Sequence, residues 1–167
     1  MTARRTLMRR ALGMEDAFVV LPALAGVAFG HPTDADAEAI AHLMLEAYRG
    51  TIDAEPGDTL DTARGEVATT LEGGYGDFMP EASFLAHEED ELVSASLVTR
   101  YQAHPLIAFT MTRPDRKERG LSRAAMGRSF AALAGAGEPH VDLVVTEGNR
   151  PAHHLYVSLG FVEIETK

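Results

Sequence analysis

The chain has no cysteine and no tryptophan, and aromatic residues fill only 7% of its 167 positions. Without a thiol there is no disulfide, no cysteine-ligated metal centre and no thiolate nucleophile. Positive charge is also scarce. Fifteen Lys and Arg stand against 25 Asp and Glu, a formal net charge of -10, so a general binder of phosphate backbones is excluded and most of this surface would repel nucleic acid. No stretch is long and apolar enough to span a bilayer. What is present is a chain that is 46% apolar and long enough to bury one core. It carries no repeat, no low-complexity tract and no linker that would divide two domains.

The N-terminus needs separate treatment. Arg4, Arg5, Arg9 and Arg10 precede an apolar run from Ala17 to Gly30, as in an export signal. Glu15 and Asp16 stand where such a signal stays basic, however, and Pro22 interrupts the run. Residues 1–24 are therefore expected to be a basic arm, solvated or forming a short helix, and residues 25–167 a single folded domain. A cytoplasmic location is expected.

Helices and strands are mixed along that domain. Gly26 to His31 reads as a strand, and Thr33 with Asp36 makes a near capping box that starts a helix. Ile40, Met44 and Ala47 fall on one face of this helix, and Gly50 supplies its stop. A second helix, capped by Asp58 or Thr59, carries Leu60, Ala63, Val67 and Leu71 until Gly73, Gly74 and Gly76 break it. Ser83 to His87 and Leu92 to Arg100 flank an acidic turn, Glu88 to Glu91, as an antiparallel hairpin does; Leu106 to Thr112 is a third apolar run, ended by Pro114. Met126, Phe130 and Leu133 mark another helical face, and Val141, Leu143 and Val145 alternate as a half-buried strand. A short helix and a final strand from Phe161 follow. This order predicts an α/β fold in which antiparallel strands lead into a βαβ crossover.

The first turn of the crossover is RPDRKERGLSRAAM, residues 113–126. It joins a strand to a helix through a loop with a glycine at its end. Exposed amides and the helix dipole make such a place an anion site, and Gly120 lets backbone approach a phosphate closely. Arg113, Arg116, Lys117, Arg119, Arg123 and Arg128 make a local positive patch on an acidic chain, opposed only by Asp115 and Glu118. The segment is neither a P-loop nor a dinucleotide fingerprint, since it lacks the Gly-Lys-Ser/Thr ending of one and two glycines of the other. Taken alone, it reads equally as a solvated helix start with ordinary surface arginines.

Lys117-x-x-Gly120-x-Ser122, then a helix, a strand and Asn149-x-x-Ala152-x-x-Leu155-Tyr156-x-x-x-Gly160-Phe161, resembles the GCN5-related N-acetyltransferase (GNAT) superfamily. The resemblance runs from about residue 25 to 167 in element order and is specific in sequence over the last third. It implies a mixed, mostly antiparallel central sheet flanked by helices, with acetyl-CoA as co-substrate and no metal. It also implies that Lys117, Glu118, Arg119, Gly120, Leu121, Ser122 and Arg123 wrap the pyrophosphate. The family usually has Arg or Gln at the first motif position and Gly or Ala at the last. Lys117 keeps the charge without the fork of arginine, and Ser122 remains small. By the same resemblance, Met111 and Thr112 offer their main chain to the pantetheine arm, Asn149 contacts that arm or shapes its tunnel, and Tyr156 protonates the departing thiolate. Physical chemistry is consistent with the last role. Asn149 and Tyr156 lie close to two helical turns apart, on one side, and a phenol with a reference pKa of about 10 is protonated at neutral pH. A helix cap and a core aromatic are the plainer readings of the same pair.

The general base is less legible, because Leu106 to Thr112 contains no carboxylate. Glu147, at the end of the crossover's second strand, is the candidate and His104 a weaker one. His153 and His154 are adjacent and diverge around a helix, so they do not read as a metal pair. For the acceptor, an amine on a small molecule or a peptide, the loop GTIDAEPGDT offers Asp53, Glu55 and Asp58 to a cation, with Tyr75, Phe78 and Met79 as an apolar wall. Direct attack in a ternary complex fits a chain without cysteine. A non-catalytic acyl-CoA sensor is the alternative, and an α/β domain without a ligand a further one. No nucleic acid and no membrane is expected as partner. A homodimer is one way to cover an edge where relatives often add another strand beyond the last one here.

Overall fold

Arg5–Ala11, expected within a solvated arm, forms instead a strand, β1, inside the central sheet. The computed structural model describes residues 4–55 and 57–165. After β1 come a short helix α1 (Met14–Ala17), β2 (Val27–Gly30), α2 (Ala37–Tyr48), α3 (Leu60–Leu71), β3 (Asp77–Phe78), β4 (Phe84–Glu88), β5 (Glu91–Tyr101) and β6 (His104–Thr112). Then follow α4 (Leu121–Gly135), β7 (His140–Thr146), α5 (Arg150–Ser158) and β8 (Val162–Glu163). Among the described residues the sheet runs β2-β4-β5-β6-β7-β1-β8, with β3 paired to β5. All neighbours are antiparallel except β6 and β7, which are the two strands of the crossover through α4.

β1 escapes notice in the sequence because only Met8 within it is buried, at 0% exposure, while arginines surround it. Those arginines are paired rather than solvated. Arg9 makes a bidentate bridge to Asp142 on the neighbouring strand, and Arg10 donates to Asp16 and to the carbonyl of Leu159. Beyond α1, Phe18, Val19 and Val20 are exposed, and Leu21 lies over Gly127 of α4.

Two cores sit on the two faces of the sheet. Alternation along β7 sends Val141, Leu143 and Val145 to the face covered by α4 and α5, where they meet Met8, Met126, Phe130, Leu133, Tyr156 and Phe161. On the other face Ile40, Leu43 and Met44 of α2 and Val67 of α3 pack against Leu85, Leu97 and Met111. The capping expectations hold: Thr59 accepts from the Thr62 amide at 3.2 Å, and Asp36 accepts from the Thr33 amide at 2.7 Å. The hairpins β4-β5 and β5-β6 turn through Glu89-Asp90 and Gln102-Ala103, all at positive φ, as a primed two-residue turn requires.

α2 packs on β5 and β6, with α3 against α2 and β3, so that face of β7 and β1 is left open and Val144 is exposed there. β1 lies between β7 and the last strand, and the edge invoked for a homodimer is that of the two-residue β8. No helix among the described residues is long and apolar enough to cross a membrane.

Candidate active site

The decisive irregularity lies in β6. Ile107 stands opposite Val98 and Phe109 opposite Leu97, so Ala108 is an extra residue, a bulge that bends the strand. β6 and β7 then share one ladder position, Leu106 opposite Asp142, and beyond it they separate. Among the described residues the stretch from Ile107 to Thr112 has a sheet partner only on its β5 side. The Arg113 amide donates to the Val93 carbonyl at 2.9 Å, so by strand alternation the amides of Met111 and Phe109 also face β5 while those of Thr110 and Thr112 face the gap. Of the two strand residues singled out in the sequence, Thr112 offers its amide to the gap and Met111 is a core side chain at 2% exposure.

At the end of β6 the chain turns into the glycine-ended loop singled out in the sequence. A 3-10 turn, Pro114–Arg116, leads through Lys117 to Glu118 and Gly120, both at positive φ, and Gly120 starts α4 in the left-handed conformation. Nothing lies within 4 Å of where a Cβ on Gly120 would be, which leaves the approach to the helix start clear. Among the described residues the amides of 117–123 donate to no protein acceptor. Thr112 and Ser122 hydroxyls, 2.6 Å apart, tie strand to helix, and Ser94 continues the chain at 2.9 Å from Thr112. Thr110 Oγ1 is buried on the α4 side without a hydrogen-bond partner among the described residues.

The positive patch is smaller than the sequence suggests. Arg113 pairs with Glu91, and Arg116 with Glu88 and Asp115. Arg123 donates to the Ser158 hydroxyl, joining α4 to α5, and Arg128 lies over the ring of Phe29. Lys117 has no ion-pair partner among the described residues, and Arg119 approaches Glu88 only to 3.7 Å.

Across the gap, α5 begins at Asn149, whose Oδ1 accepts from the Ala152 amide as an N-cap. Its Nδ2 donates to Asp53 at 3.0 Å, and Thr146 Oγ1 donates to the other Asp53 oxygen at 2.6 Å. One carboxylate thus pins the loop after α2 to the end of β7 and the start of α5. Tyr156 is 8% exposed, with its ring edge-on to Phe161. Burial, reinforced by the negative charge of Asp53, pushes its phenol up to about 12. Tyr48, at the end of α2, is raised by burial and by Tyr156 and Asp53, and is drawn down by Arg5.

Asp53 therefore bonds Asn149 directly, and its charge is felt at Tyr156, the other member of the pair singled out two turns apart. Asn149 meets the plainer reading as a cap and has its remaining amide on Asp53. Glu147 is exposed on the turn after β7, and its amide donates to the Arg4 carbonyl. Phe78 and Met79 pack into the two cores, while Tyr75 donates to Glu66 and sits near Phe109. Asp58 accepts from the Glu55 amide, so Asp53 is the loop acid turned to the site. His104 lies at the far end of β6, 3.0 Å from His140, and His153 contacts Glu163.

This geometry can be set beside known proteins. The profile of the acetyltransferase (GNAT) family matches residues 37–161. The chain belongs to the GNAT acetyltransferase family. Among solved structures, a GCN5-related N-acetyltransferase from Sphaerobacter thermophilus superposes with TM-score 0.71 at 22% identity, over 98% of this chain and 50% of that one. The chain thus spans about half the length of that relative. The ribosomal-protein-S18-alanine N-acetyltransferase of Escherichia coli gives 0.67 at 20% identity, covering 83% of this chain and 79% of that one. PaiA N-acetyltransferase of Thermoplasma acidophilum, solved in complex with coenzyme A, gives 0.66 at 12%, covering 84% and 92%. Among curated sequences none matches. At these identities the superpositions establish the fold.

Proposed function

We propose that this GNAT protein transfers an acetyl group from acetyl-CoA to a primary amine by direct attack in a ternary complex. The observation that carries the reading is the parting of β6 and β7 after a single shared position, with unpaired amides at 117–123 on one side and the Tyr156 phenol on the other. The residues present fit the co-substrate: the loop suits a pyrophosphate, the gap-facing amides of Thr110 and Thr112 suit a pantetheine arm, and the orphaned Thr110 hydroxyl is a buried polar group with room for a partner. Acetyl-CoA would supply an acyl carbon activated by its thioester.

The protein's own groups supply the proton traffic. An ammonium is drawn to Asp53 and loses one proton there, which passes to solvent. The amine nitrogen then bonds to the acyl carbon as the carbon–sulfur bond breaks. The second amine proton leaves in that step and is returned, through solvent, to the Tyr156 phenolate, which has given its own proton to the sulfur. A phenol held near 12 is protonated throughout the neutral range, as a donor to a thiolate must be. Asp53 is held at the end of β7 and the start of α5 by Thr146 and Asn149, whereas Glu147 is exposed on its turn, which favours Asp53 over Glu147 as the base.

Calorimetric titration with acetyl-CoA, followed by coenzyme A release with a panel of amines, tests the reading. Saturable binding and amine-dependent release are expected. Binding without turnover for any amine would leave an acyl-CoA sensor, and no binding would leave a domain without this ligand.

A further inference from the structure

The open face of β7 and β1 forms a groove of about 590 Å³ beside the site, lined by Arg5, Thr6, Leu7, Val144, Ile164 and Glu165. Arg5 stands opposite Thr146, the residue that holds Asp53. Partners across an antiparallel pair are about 5 Å apart at Cα, so the cation and the carboxylate rise from adjacent positions on one face. Among the described residues Arg5 has no carboxylate partner, whereas Arg9, Arg10, Arg64, Arg100, Arg113 and Arg116 each have one. Its charge is felt at Tyr48 and at Tyr75, against the opposite influence of Asp53 on Tyr48. Glu66, the remaining acid near Tyr75, is occupied by the Tyr75 hydroxyl at 2.7 Å.

We infer that the acceptor is a small amino acid-like molecule, with its amine on Asp53 beside Tyr156, its carboxylate on the Arg5 guanidinium, and its apolar remainder along Leu7, Val144 and Ile164. This rests on the acetyl-transfer reading and narrows it. A net charge of -10 would by itself favour a polyamine. An unpaired arginine in the groove reverses that preference locally, because a guanidinium matches a carboxylate in bidentate fashion and repels a second ammonium. A lysine side chain or a diamine has no carboxylate to place there.

The full chain with acetyl-CoA is assayed by coenzyme A release on α-, β- and γ-amino acids, each beside its amide and its decarboxylated amine. The free acids should exceed both counterparts in kcat/KM by about tenfold or more, which is about 1.4 kcal/mol. Arg5→Gln should erase that preference through KM with little change in kcat, and Arg5→Glu should turn it toward diamines; Arg5 is exposed, and unchanged thermal unfolding of each variant confirms the fold. Amides or plain amines turned over as well as the acids, or a preference that survives Arg5→Gln, would overturn the inference and leave acetyl transfer intact. Bound acetyl-CoA without turnover on any acceptor would overturn both.

Discussion

Tyr156 packs in the core beside the gap and Asp53 is pinned to the end of β7 and the start of α5, and their separate duties predict separate failures. Tyr156→Phe removes the proton donor without opening a cavity, so kcat should fall by about 10²–10⁴-fold while calorimetric affinity for acetyl-CoA holds. Asp53→Asn keeps the size of the side chain but removes the charge that draws an ammonium. Acceptor KM should rise and kcat fall, whereas Glu147→Gln on its exposed turn should leave both within about twofold, as steady-state kinetics on the three variants would reveal. The raised phenol also has a consequence for stability. Between about 10 and about 12 the folded protein retains the Tyr156 proton that the unfolded chain has lost, so unfolding free energy must decline as pH rises through that window. Urea unfolding at several alkaline pH values should show a shallower decline in Tyr156→Phe than in the parent chain.

At the scale of elements, helix faces and caps were readable because periodicity and cap chemistry are local. Ile40, Met44 and Ala47 are buried as their spacing requires, and Thr59 caps α3. The crossover was readable for the same reason, since Gly120 and the Asn149–Tyr156 spacing declare themselves within a few residues. What escaped is non-local. Nothing before β6 marks Ala108 as a bulge, because a bulge is defined by the partner strand, and nothing distinguishes Asp53 from Glu55 and Asp58 until Thr146 and Asn149 arrive from some ninety positions later. The end of α5 shows how a local signal fixes a functional side chain. The Gly160 amide donates to Val157 and the Phe161 amide to Tyr156, a Schellman closure with Gly160 at φ +96°. A Cβ there would meet Arg10 only at 3.5 Å, so the cost of Gly160→Ala is the backbone's: about 1–2 kcal/mol, to be read from the shift in urea midpoint at constant slope.

For the whole molecule, the first strand and the last helix are one structural unit although they lie at opposite ends of the described chain. β1 separates β7 from β8, buries Met8 against the core that holds Tyr156 and Phe161, and presents Arg5 beside Thr146 on the opposite face. A solvated arm could be removed without loss. A strand in this place cannot, because its removal leaves β7 with an unpaired edge, frees β8 and exposes part of the apolar face formed by Val141, Leu143 and Val145. Deleting residues 1–12 should therefore abolish the cooperative thermal transition and yield aggregates in size-exclusion chromatography. Met8→Ala separates packing from chain loss: with every strand pair retained, deleting a fully buried side chain should cost about 2–5 kcal/mol in urea unfolding. An unchanged midpoint for Met8→Ala, together with a folded deletion variant, would return residues 1–12 to the status of an arm and detach Arg5 from the site.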